Sequence, residues 1–80
     1  MAFMYVTTKS DSAIGEGTHS VPILEPNRRS LIKGNIDLAA RIIQTEFDNT
    51  VFMEDVMQID VELTADSDED AELITIFKPE

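Results

Sequence analysis

The hydrophobic period of this eighty-residue chain changes along its length, and that change restricts what it can fold into. Ile36, Ala39, Ala40, Ile43 and Phe47 recur at i, i+3, i+4, i+7 and i+11, a single stripe along a helix. Leu38 and Ile42 fall on the flank of that stripe and broaden its apolar surface. Asn35 is a good N-cap, Asp37 stands near the positive end of the helix dipole, and Asp48-Asn49 stops the run. The main helix is therefore predicted over 36–47. Further on the period is two. Met57, Ile59, Val61 and Leu63 alternate with Gln58, Asp60 and Glu62, as in a strand with one buried face. Residues 72–78 return as an apolar strand that Pro79 ends. Being apolar on both faces, that strand is expected in the middle of a sheet. The 56–78 segment then reads as a hairpin with a long acidic tip.

The first half has weaker signals. Residues 3–8 are aromatic and β-branched and read as a strand. Residues 9–20 contain Ser10, Ser12, Gly15, Gly17 and Ser20 and read as a loop or wide turn. Val21-Pro22-Ile23-Leu24 is a short apolar run, which its proline demotes to an edge strand or an extended docking segment. Pro26-Asn27 turns the chain, Thr50-Val51-Phe52-Met53 reads as a strand start or a core-plugging loop, and residues 30–33 allow one helical turn ended by Gly34. The 9–34 segment as a whole is expected to be a long loop or arm. The fold class that follows is α+β: a small antiparallel or mixed sheet of three to four strands with one main α-helix packed on one face, in a single domain over 1–80. With no cysteine, neither a disulfide nor a thiolate metal site supports so small a core.

Charge is divided as sharply as period. Residues 42–80 hold twelve acids and one base, Lys78, whereas residues 1–41 hold four acids and five bases. The net charge of −10 thus resides in the second half. Such a surface is repelled by anionic lipid and free nucleic acid, and no stretch approaches the roughly 20 apolar residues of a membrane span. The opening residues lack the basic and apolar regions of a signal peptide. A soluble, intracellular, cytoplasmic protein that is not secreted is expected.

Candidate chemistry is sparse. Asp60 and Glu62, two apart on a strand, share a face at a spacing of roughly 6.6 Å. Asp66, Asp68, Glu69 and Asp70 extend that row around the hairpin tip. These six carboxylates, on a projecting ribbon, are the expected partner-binding residues. The Asp66-x-Asp68-x-Asp70 spacing matches the start of an EF-hand loop, but Ala71 stands where glycine is needed and Phe77 where the bidentate glutamate is needed. No metal and no cofactor are expected. His19-Ser20 lacks the companions of a catalytic triad, and Gly15-Glu16-Gly17 lacks the third glycine of a phosphate loop. Arg28, Arg29 and Lys33 form the one basic cluster, better suited to neutralising the chain's own acids than to gripping a partner. Arg28 and Arg29, with the flanking Leu38 and Ile42, make a secondary candidate interface, compatible with a homodimer.

Three function classes remain. The expected one is a small acidic inhibitor that binds a basic, nucleic-acid-handling protein and blocks it with a nucleic-acid-like negative surface, as many virus-encoded proteins do. The alternative is a non-catalytic assembly or accessory subunit of a larger complex or homo-oligomer. An enzyme has the least support.

Overall fold

The computed structural model describes residues 2–62 and 72–78. In chain order these form β1 (Ala2–Thr8), β2 (Gly17–Ile23), α1 (Glu25–Ile32), α2 (Ile36–Glu46), a 3-10 turn (Met53–Asp55), β3 (Val56–Glu62) and β4 (Leu73–Phe77). The strands make one sheet in the order β2-β1-β3-β4, with every neighbouring pair antiparallel. The α+β class read from the sequence is the one found, with two helices where one main helix was expected.

The main helix starts and stops where its sequence says. The Asn35 side chain accepts a hydrogen bond from the Leu38 N–H at 3.0 Å, satisfying one of the free donors of the first turn. At the other end Asp48 and Asn49 adopt positive φ, 53° and 61°, a conformation that Asp and Asn tolerate better than most residues. The Asn49 N–H then reaches back to the Gln44 carbonyl at 2.7 Å.

Helix α1 corrects the expectation of an arm over 9–34. Pro26 does not turn the chain; it lies in the first turn of α1, where its missing N–H has no intrahelical partner to lose. Gly34, at φ 94°, ends the helix, donating to the Leu31 carbonyl at 2.8 Å. Leu31 itself is completely buried. The strand before α1 is also longer than its apolar run. Pairing extends from Ala2 opposite Ile23 back to Thr8 opposite Gly17, so Thr18, His19 and Ser20 belong to β2 and not to a loop. Exposed Thr18 and Ser20 alternate with half-buried His19, a period of two that their uniformly polar side chains hide in the sequence.

Two further expectations fail at the sheet. Thr7 pairs with Gln58 and Thr8 with Val56, which leaves Met57 as an extra residue on β3. This bulge reverses the alternation. Val56 is buried and Met57 is 49% exposed, although the regular period placed Met57 beside Ile59. Strand β4 lies at the edge of the sheet and not in its middle. Its apolarity on both faces is not matched by burial, since Leu73 is 56% exposed.

The core occupies one face of the sheet. Ala2, Met4 and Val6 of β1, Val21 and Ile23 of β2, and Ile59 and Val61 of β3 meet Leu31, Ala39 and Ile43 from the two helices. Val51, in the loop after α2, closes the cluster. Helix α2 ends against β2, where the rings of Phe47 and His19 meet edge-on at 6.0 Å. Helix α1 lies by β3, where the Arg28 Nε–H donates to the Glu62 backbone carbonyl at 2.9 Å.

Candidate functional site

Strand alternation that buries Met4 and Val6 turns Phe3, Tyr5 and Thr7 to the opposite face of the sheet. On β3 the same face carries Gln58, Asp60 and Glu62, and on β4 it carries Thr75. In register, Tyr5 stands opposite Asp60 and Asp60 opposite Thr75. Among the described residues both helices pack on the other side, so this face is uncovered.

Both candidate carboxylates on the face are held by the chain's own donors. The Asp60 carboxylate accepts from Gln58 Nε2 at 2.9 and 3.1 Å and from the Thr75 hydroxyl at 2.6 Å. Glu62 Oε1 accepts from the Tyr5 hydroxyl at 2.8 Å. Phe3 lies beside Tyr5, ring centroids 6.5 Å apart, and the Thr7 and Thr18 hydroxyls meet at 3.0 Å. Neutral donors fix a carboxylate without cancelling its charge. Among the described residues neither Asp60 nor Glu62 has a cation at ion-pair distance; the ion pair found there is Arg28 with Glu25, at 3.7 Å. The negative potential of the two groups is therefore directed out of the face. The tip of the expected projecting ribbon lies outside the described residues, and its base is part of the sheet. Strand β3 lies between β1 and β4, so Asp60 and Glu62 sit on a broad sheet surface.

The hydrogen bond from Tyr5 to Glu62, reinforced by burial and by the nearby negative charge, raises the Tyr5 pKa above its ordinary 10.0. The folded state holds the phenolic proton more tightly than the unfolded chain does. The resulting stability is complete below the unfolded pKa and is lost as pH rises through the folded value. Tyr5 is the only tyrosine, so an alkaline absorbance titration reads it directly. We expect a midpoint above 10.0 and a lower one in Glu62→Gln, which removes the negative charge. An unchanged midpoint in that variant would show that Glu62 does not hold the phenol.

Asp66, Asp68, Glu69 and Asp70 lie outside the described residues, so the expected row of six carboxylates is seen at Asp60 and Glu62. The secondary candidates are dispersed. Arg28, 14% exposed, is bound to a backbone carbonyl and to Glu25, whereas Arg29 is exposed. Leu38 and Ile42 pack partly on the core. With Pro22, Arg41, Thr45 and Glu46 they also line a shallow groove of about 280 Å³ where α2 meets β2. His19 Nε2 lies 3.2 Å from the Thr8 hydroxyl, which donates to the Gly15 carbonyl at 2.6 Å. No group of three or more metal-ligating side chains occurs among the described residues, and no helix there is long and apolar enough to cross a membrane.

Sequence reasoning placed Asp60, Glu62 and Gln58 on one face but missed Tyr5 and Thr75, the residues that hold the two acids from neighbouring strands. Residues 3–6 are apolar on both faces, so the sequence shows neither which face Tyr5 takes nor which strand it meets. The chain matches no protein-family model, no curated protein and no solved structure.

Proposed function

We propose that this chain is a non-catalytic acidic protein that binds a basic, nucleic-acid-handling protein and occupies its nucleic-acid site. The observation that supports this most is the sheet face opposite the helices, where Asp60 and Glu62 are held in place by Tyr5, Gln58 and Thr75, with no cation at ion-pair distance among the described residues. Carboxylates already ordered by the fold lose little side-chain entropy when a lysine or arginine meets them. The excess of acids over bases in residues 42–80 adds long-range attraction, which speeds encounter with a basic groove and fades with salt. Phe3 and Tyr5 add apolar surface of the kind that anchors interfaces. A cytoplasmic site of action belongs to the same proposal.

The test is capture on the immobilised chain from a cell lysate, followed by elution with duplex DNA or with RNA. Basic nucleic-acid-binding proteins should be retained at low salt and released by nucleic acid. The double variant Asp60→Asn, Glu62→Gln should retain at least about tenfold less, since buried charge pairs at interfaces are worth more than a kcal/mol each. Its amide oxygens still accept from Thr75 and Tyr5, so the fold is kept. Equal retention by the variant, or bound protein that nucleic acid does not release, would count against the proposal.

A further inference from the structure

We infer that the free edge of β4 pairs with β4 of a second copy, antiparallel, about a two-fold axis at Thr75. This goes beyond the proposed partner-binding role and does not depend on it. Among the described residues β4 has a neighbour on one side alone, β3. Its sequence, Leu73-Ile74-Thr75-Ile76-Phe77, is β-branched over its three central residues, ends on an aromatic, and is uncharged and free of proline. Natural sheets usually blunt such an edge with charge or proline, because its unpaired N–H and C=O groups are a template for another strand. The opposite edge, β2, does carry a proline, Pro22.

What selects a second copy of this chain as the occupant is charge register. Antiparallel pairing centred on Thr75 sets Ile74 against Ile76 of the other copy, and Glu72 against its Lys78. Both charged residues are exposed. The two-fold axis makes each match twice, the self-complementarity of an isologous interface. Lys78 is the one base in residues 42–80, and it stands where it meets an acid of the second chain. The bulge between β3 and β4 falls at Ile76, beyond the centre, and shortens the paired stretch without closing the edge. The pairing is correspondingly weak and depends on concentration. Two chains of −10 also repel, so screening by salt favours the dimer, the opposite sign from binding to a basic partner.

Sedimentation equilibrium over a range of concentrations, at low and at high salt, tests this. The wild-type chain should dimerise reversibly and more tightly at high salt. Glu72→Lys and Lys78→Glu should each weaken the dimer by about tenfold, because like charges then face each other twice. The double variant Glu72→Lys, Lys78→Glu should restore it. The Glu72→Lys result is decisive because that change lowers the net negative charge and would strengthen a merely non-specific association. A monomer under all conditions, or a double variant no better than the single ones, would overturn the inference. Neither outcome touches Asp60 or Glu62, so the partner-binding proposal is judged separately by the capture experiment.

Discussion

Leu31→Ala should lower the unfolding free energy by about 2–5 kcal/mol, measured from urea denaturation midpoints. Leu31 is fully buried, and it is the buried residue that α1 contributes to the core shared with the sheet and α2. Truncation removes its transfer free energy and leaves a cavity that the short helix cannot collapse to fill. A domain of this size has a total stability of about 5–15 kcal/mol at most, so the variant should melt many degrees lower or be partly unfolded at room temperature. The effect is specific to the packed form of residues 25–32. If this segment were the loose arm its turn signals predict, Leu31→Ala would change stability by about 0.5 kcal/mol or less.

The second large effect separates two residues that the period-two reading treats alike. Ile59 is completely buried and Met57 is 49% exposed. Ile59→Ala should cost about 2–5 kcal/mol, whereas Met57→Ala should stay within about 0.5 kcal/mol. Comparable losses at both positions would mean that β3 runs without its bulge and that Met57 faces the core. Either outcome leaves the candidate site in place, because Tyr5 pairs with Asp60 on the far side of Met57 from the irregular Thr8–Val56 pairing.

Local chemistry was legible wherever the deciding neighbours lie within one turn. The cap at Asn35, the stop at Asp48-Asn49 and the stripe through Ala39 and Ile43 involve contacts between residues three to five apart, and the structure has them where the sequence put them. Pro26 was misread because the same residue favours a turn and the first turn of a helix; the choice between them was made by Leu31 reaching the core. Met57 was misread because a bulge has no local signature here: the extra residue is required by pairing with Thr7 and Thr8, some fifty positions earlier. Strand β4 was placed in the middle because apolar faces were equated with covered ones, yet Leu73 stays exposed at the edge.

The site divides in the same way. The acidity of residues 42–80, and the shared face of Gln58, Asp60 and Glu62, follow from composition and the pleat of a single strand. Which groups hold those acids does not. Tyr5 reaches Glu62 across 57 positions and Thr75 reaches Asp60 across 15, and both contacts exist because β3 is sandwiched between β1 and β4. The sequence by itself determined the charge and the limits of α2, since those depend on residue identity and on neighbours along the chain. Only the tertiary structure decided that two of the acids lie ordered on the sheet face opposite the helices, because strand pairing is a choice among distant segments made by burial of a common core.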